Sequence, residues 1–203
     1  SGYFKAQLDF NSIETIYDTV QSVDLNTKTV NCINNTYQSK VIIIATGTSP
    51  AKLDIDIQPG SIVFYNYVRD ISICKDKNVC IIGGGNSALS YAQSISAVAK
   101  EVNIIHHSSN FSAQQELIDA IDKPNINVYF NTEVKRIEKD FIITDKTITN
   151  DITVICIGRK INYDLFDLDK TSNGISVNNN METSITGVYA IGDVTDKRTK
   201  QII

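Results

Sequence analysis

Asn78-Val-Cys-Ile-Ile-Gly83-Gly-Gly85-Asn-Ser-Ala88 is the stretch on which the fold turns. Val79 to Ile82 is an apolar run of strand length, Gly83 to Gly85 is a sharp turn, and Asn86 to Ala99 reads as a helix with small and apolar residues along one side. Glu101-Val-Asn-Ile-Ile105 follows as the next strand. A strand–helix–strand unit of about 28 residues has the size of a crossover between parallel strands. Within it, Gly83-x-Gly85-x-x-Ala88 sits after a strand and opens a helix, the context that lifts the motif above chance. The first glycine permits the tight turn, the second lets a pyrophosphate approach the backbone, and Ala88 lets helix and strand pack closely; the helix N-terminus favours the anion. Asn86 and Ser87 add polar groups at the first turn. Gly83, Gly84, Gly85, Asn86, Ser87 and Ala88 are therefore candidate cofactor-binding residues, with a ligand-free tight turn as the other reading.

The end of the next strand is where a Rossmann unit discriminates between nicotinamide cofactors. An Asp or Glu about 20 residues on would bind a ribose 2′-hydroxyl, and arginines would bind a 2′-phosphate. The positions read His106-His107-Ser108-Ser109, which is neither. A neutral imidazole or a serine can hydrogen-bond a ribose and a charged His can meet a phosphate weakly; a plain polar strand end is the alternative. No carboxylate or cysteine is spaced to complete a metal site with the two histidines.

Outward from this centre the chain is punctuated by further glycine-ended strands. Upstream, Glu14 to Val23, Thr29 to Ile33 and the turns at Asn26-Thr27-Lys28 and Asn34-Asn35 read as a β meander. Lys40-Val-Ile-Ile-Ile-Ala-Thr-Gly47 then has the apolar character of a strand covered on both faces. The break Thr48-Ser49-Pro50 marks a domain boundary. Downstream, a second helix is expected near Ser112 to Ile121, and short strands around Asn127–Phe130, Glu133–Lys139 and Phe141–Thr144. Thr153-Val-Ile-Cys-Ile-Gly158 and Gly187-Val-Tyr-Ala-Ile-Gly-Asp193 again end apolar strands at glycine, and Asn178-Asn-Asn180 marks a hairpin tip.

Composition sets the outer bounds. The chain has 203 residues, 42% of them hydrophobic, with 10 Gly and 3 Pro, so it is a globular chain with neither collagen-like nor low-complexity character. Its longest apolar run, Val41 to Ala45, is far below the ~20 residues of a membrane span. Lys plus Arg is 19 against 23 Asp plus Glu, a net charge of −4 without a basic block, which argues against nucleic acid or a membrane as partner. Four cysteines without a Cys-x-x-Cys pair suit a reducing, cytoplasmic location. Cys80 and Cys156 stand in apolar runs as core residues, and Cys74, in a more polar stretch, is expected to be the most exposed thiol.

Taken in order, Ile44-Ala-Thr-Gly47, Gly83-Gly-Gly-Asn-Ser-Ala88, the strand into His106, Ile157-Gly-Arg159 with Asn162, and Gly187-Val-Tyr-Ala-Ile-Gly-Asp-Val194 resemble the low-molecular-weight thioredoxin reductase-like flavoproteins over nearly the whole chain. The resemblance implies an α/β fold: a Rossmann-like NAD(P)H-binding domain, a parallel sheet with helices plus a β meander, flanked by incomplete pieces of an FAD-binding Rossmann-like domain. It places the NAD(P)H domain at 49–157 and FAD-domain segments at 1–48 and 158–203. It implies an NAD(P)H-dependent flavin oxidoreductase, of which this chain would be an incomplete fragment. Thr46, Gly47, Gly192 and Asp193 are similar to the family's FAD-site residues, Gly158 and Arg159 to a strand end implied as cofactor-binding too, and Lys200-Gln201 to the stretch after the FAD site. FAD in the full-length protein, a nicotinamide dinucleotide, a thioredoxin- or ferredoxin-like protein acceptor and a homodimer are the implied cofactors and partners.

The departures from that family are informative. Where a thioredoxin reductase carries its redox Cys-x-x-Cys, this chain reads Asn66-Tyr67-Val68-Arg69, so no dithiol relay is available there. Tyr65 to Asp70, with Tyr91 in the helix, is more similar to the thioredoxin reductase-like ferredoxin–NADP reductases. The family's His-Arg-Arg-x-x-x-Arg signature appears as His106-His-Ser-Ser-Asn-Phe-Ser112, without any arginine. The expectation is hydride transfer from NAD(P)H to FAD and on to an acceptor without a dithiol. The alternatives are a thioredoxin-disulfide reductase with a relocated pair involving Cys74 and Cys80, and a degenerate, non-catalytic nucleotide-binding domain.

Overall fold

The computed structural model describes residues 6–8, 10–66 and 68–197. The chain divides into two units, Ser1–Thr48 with Ile161–Ile203, and Ser49–Lys160. The second unit is built on five parallel strands: β1 (Val63–Tyr65), β2 (Asn78–Ile82), β3 (Glu101–Ile105), β4 (Ile126–Tyr129) and β5 (Ile152–Ile155). Their spatial order is β4-β3-β2-β5-β1, and every neighbouring pair is parallel.

Strand β2 shows why the unit has three layers. Successive side chains of a strand point to opposite faces. Val79 and Ile81 pack with Ala88, Leu89, Ala92 and Ile95 of helix α1 (Asn86–Ile95). Cys80 and Ile82 pack instead with Ile137, Ile142 and Ile148. Those three isoleucines belong to an antiparallel meander, Arg136–Ile137, Phe141–Ile143 and Thr147–Thr149, joined by Asp56–Ile57 parallel to its first strand. Burying each such side chain contributes roughly 1.5–3 kcal/mol, so a fully apolar strand is what a sheet covered on both faces needs.

Several element ends differ from the sequence expectation because tertiary bonds claim the backbone. Helix α1 stops at Ile95, not Ala99: Ala97 and Val98 donate to Ser94 and Ile95, tightening the last turn, and the Ser96 hydroxyl donates to the Gln93 carbonyl (2.8 Å). Helix α2 covers Gln115–Ala120 and starts three residues late. Ahead of it, the Ser112 N–H donates to the Gly84 carbonyl (2.9 Å) and the Gln114 N–H to Asn86 Oδ1 (2.8 Å). The strand expected over Glu133–Lys139 shrinks to Arg136–Ile137.

The first unit holds a three-stranded antiparallel sheet, Val20–Asp24, Thr29–Cys32 and Thr36–Gln38. It also holds a parallel pair, Ile42–Ile44 with Val188–Ala190. Ile44, Val188 and Ala190 pack with Phe166, Ile175 and Val194. The run Lys40–Gly47 is therefore a shorter strand than expected. Among the described residues it is covered on one face only: Ile44 is buried, while Ile43, pointing the other way, is 61% exposed. No described helix is long and apolar enough to cross a membrane.

Candidate functional site

Chain order reverses beside β2: it connects to β3 on one side, while β5 lies on its other side. Ligands of open parallel sheets bind at such switch points, outside the carboxyl ends of the strands. At this place the Gly83 N–H donates to the Ile105 carbonyl (3.0 Å) and the Cys156 N–H to the Ile82 carbonyl (2.7 Å). The ends of β2, β3 and β5 are thereby locked together around a cavity of about 270 Å³ lined by Gly83–Gly85, His106, His107, Ser112 and Cys156–Gly158.

Each glycine of the turn has its own reason to be glycine. Gly83 has φ +137°, and a β-carbon there would collide with the Cys156 carbonyl oxygen. A β-carbon at Gly84 would come within 2.6 Å of three ring atoms of His106. Gly85, the N-cap of α1, is different: its φ is −95°, and a β-carbon would meet only Ser112 Oγ, at 3.7 Å. No side chain caps α1. Its first-turn N–H groups lack intrahelical acceptors and carry the positive end of the helix dipole. An open approach at Gly85 in front of uncapped N–H groups fits a dinucleotide pyrophosphate.

The structure places the remaining sequence candidates unequally. Ala88 is fully buried against the sheet and is a packing residue. Asn86 engages its side-chain oxygen with Gln114, tying the starts of α1 and α2 together. Ser87 is exposed and lines a separate groove with Asn66 and Tyr91, whose hydroxyl donates to the Asn66 carbonyl (3.1 Å). His106 is 6% exposed. Its Nε2–H donates to the Asn110 carbonyl (3.0 Å), its ring stacks on Phe111 at 5.8 Å, and its Nδ1 is buried without a partner. This imidazole supports the turn beneath Gly84. His107 is exposed at the cavity rim, and the Ser108 carbonyl accepts from the Asn131 N–H (3.2 Å). Gly158, at φ +105°, offers its carbonyl to Asn66 Nδ2–H and to the Ala51 N–H, both at 3.0 Å. Arg159 follows it, exposed, at the start of a short strand.

In the other unit, Thr46, Gly47, Gly192 and Asp193 gather at the carboxyl ends of the parallel pair. The Thr46 hydroxyl donates to the Asn162 carbonyl (2.6 Å), Asn162 Nδ2–H to the Thr46 carbonyl (2.9 Å), and the Asn162 N–H to the Gly47 carbonyl (3.0 Å). The Ile191 N–H donates to the Ile44 carbonyl (2.9 Å), and Gly192–Val194 forms a 3₁₀ turn. Gly47 and Gly192, at φ +58° and +73°, have open space where a β-carbon would stand. Lys200, Gln201 and Tyr67 lie outside the described residues.

Sequence reasoning overlooked Ser112, whose N–H holds the Gly84 carbonyl; its signal was present, because it occupies the last position of the altered arginine signature. The expectation for Cys74 is corrected: it is fully buried beneath α1, and Cys32 is the most exposed of the four free thiols. Cys74 and Cys80 lie in cores on opposite faces of the sheet, so they do not form a pair. Burial pushes the Cys156 thiol up to about 11 and raises Cys80 further. Native labelling with iodoacetamide near neutral pH should therefore modify Cys32 and spare Cys74, Cys80 and Cys156. Rapid labelling of Cys156, read by peptide mass spectrometry, would contradict this burial. Among the described residues no cluster of three or more His, Cys, Asp or Glu could hold a metal.

Residues 5–203 match the family model described as pyridine nucleotide-disulphide oxidoreductase. A thioredoxin reductase of Ureaplasma parvum is 30% identical over 94% of this chain and 69% of its own length. A ferredoxin–NADP reductase of Lacticaseibacillus paracasei is 31% identical over 86% of this chain and 60% of its own length. The thioredoxin reductase of Lactococcus lactis, crystallised in its FR conformation, superposes with a TM-score of 0.80 at 23% identity, over 96% of this chain and 71% of that one, a likeness of fold. The chain thus spans about two thirds of the length of these relatives.

Proposed function

Because the chain belongs to the pyridine nucleotide-disulphide oxidoreductase family, we propose that it is the nicotinamide-binding portion of an FAD-dependent oxidoreductase that delivers electrons to its acceptor without a dithiol relay. The observation that carries this reading is the glycine turn: open at Gly85, uncapped at the start of α1, and set at the switch point of a parallel sheet. Residues 49–157 are the NAD(P)H-binding domain, and 1–48 with 158–203 contribute to the FAD domain. Gly83 to Ser87 hold the pyrophosphate, with Gly85 giving the close approach and the first N–H groups of α1 the charge complement, while Ala88 seats the helix on the sheet. His106 keeps Gly84 seated, and the 106–112 loop is tied back to the turn through the Ser112 N–H and held internally through the Asn110 carbonyl. Thr46, Gly47, Gly192 and Asp193 form a wall for FAD, where the open glycines leave room for a bound group. Bound at these places, the dinucleotide supplies a hydride and the flavin accepts it.

The acceptor is a small redox protein, ferredoxin-like in preference to thioredoxin-like, because Asn66 to Arg69 offer no cysteine. The protein is cytoplasmic and works as a homodimer. Titration of the flavin-loaded protein with NADH and with NADPH, followed by flavin absorbance, should show bleaching by at least one of them. Prior alkylation of the thiols should leave acceptor reduction unchanged. Absence of bleaching with both nucleotides would sink the oxidoreductase reading; loss of acceptor reduction after alkylation would sink the dithiol-free route.

A further inference from the structure

A second cavity, of about 370 Å³, adjoins the glycine-turn cavity and shares Gly83, His107 and Ile157 with it. Ile82, Ile105 and Val134 contribute to its apolar wall, and its charged lining residues are Asp54 and Glu133. Neither cavity is lined by a Lys or an Arg. Backbone bonds bring Glu133 to this place from β4, the strand beyond β3: the Thr132 N–H donates to the His106 carbonyl (3.0 Å) and the Asn131 N–H to the Ser108 carbonyl (3.2 Å). The segment after β4 is thereby stitched alongside the end of β3, and Glu133 and His107, both exposed, face one cavity.

A dinucleotide whose pyrophosphate lies on a Rossmann glycine turn extends its adenosine half past the end of the next strand, where a carboxylate on that strand normally meets the ribose hydroxyls. Here that strand ends in His106, which is buried and engaged with Gly84 and Asn110, and in His107. Resting on the dinucleotide reading above, we infer that Glu133, supplied from the neighbouring strand and assisted by His107, reads the adenosine ribose and selects NADH over NADPH. The carboxylate accepts hydrogen bonds from the free ribose hydroxyls. A 2′-phosphate would put like charges together beside an apolar wall, with no guanidinium or ammonium in the lining to compensate.

Calorimetric titration of the whole chain with NADH and with NADPH tests this. NADH should bind more tightly by about tenfold or more, the worth of one charge-assisted hydrogen bond. Glu133→Gln should collapse the ratio towards one, and Glu133→Lys should reverse it. Both replace an exposed side chain, and the far-ultraviolet circular dichroism spectrum should not change. NADH binding with an unaltered NADH-to-NADPH ratio in both variants, or tighter binding of NADPH by the unmodified chain, overturns the assignment of Glu133 and leaves the glycine-turn reading standing. Failure of either nucleotide to bind overturns both.

Discussion

Gly85→Ala should leave the protein folded and weaken NAD(P)H binding by about tenfold or more. The backbone at Gly85 is extended, with φ −95° and ψ −178°, which any residue adopts. The new β-carbon would stand 3.7 Å from Ser112 Oγ, an ordinary contact. Alanine is a poorer N-cap than glycine, but that preference is worth less than about 1 kcal/mol. The methyl group would nevertheless occupy the approach to the first N–H groups of α1, and a pyrophosphate held away from them loses its charge-assisted bonds. Urea unfolding and nucleotide calorimetry on the same variant separate the two effects. Undiminished affinity would mean that the turn does not cradle a pyrophosphate.

Gly83→Ala is expected to do the opposite: it should destabilise the unit by about 3 kcal/mol or more, whether or not nucleotide is present. Two causes act together. A φ of +137° is a conformation that residues with a β-carbon rarely adopt. The added atom would also be driven into the carbonyl of Cys156. That carbonyl cannot retreat cheaply, because the same residue's N–H is bonded at 2.7 Å to the Ile82 carbonyl, at the junction of β2 and β5. Overpacking a well-ordered interior costs roughly 1–3 kcal/mol before the backbone strain is added. A drop of under 1 kcal/mol in urea-derived stability would show that the strand ends yield easily and that this account of Gly83 is wrong.

The contrast between these two glycines marks how far the chain could be read without coordinates. Apolar alternation, the turn at Gly83 to Gly85 and the small-residue face of α1 were legible locally, because strand and helix periods are short-range properties. Element ends were less legible: α2 begins late because Ser112 and Gln114 donate to Gly84 and Asn86, some 28 residues away in the chain, and no window around Ser112 contains that information. The isoleucine run before Gly47 promised cover on both faces, yet an apolar strand reads alike whether one face or two is packed. Cys74 was misjudged for a related reason: its polar neighbours Lys75 and Asp76 point outward from a 3₁₀ turn whose last residue tucks under the helix.

The order and spacing of the glycine-ended strands were sufficient to point to the family and to an α/β fold, because those depend on backbone conformations that few residue types permit. The division of labour inside the turn came from packing between distant segments. Gly83 answers to Cys156 and Gly84 to His106, while a β-carbon at Gly85 would meet only Ser112 Oγ, at 3.7 Å, an ordinary contact. The same holds for His106 and Glu133. His106, read either as a ribose or phosphate contact or as a plain polar strand end, is buried against Gly84; Glu133, 27 positions further along, is brought alongside the end of β3 by hydrogen bonds from Asn131 and Thr132.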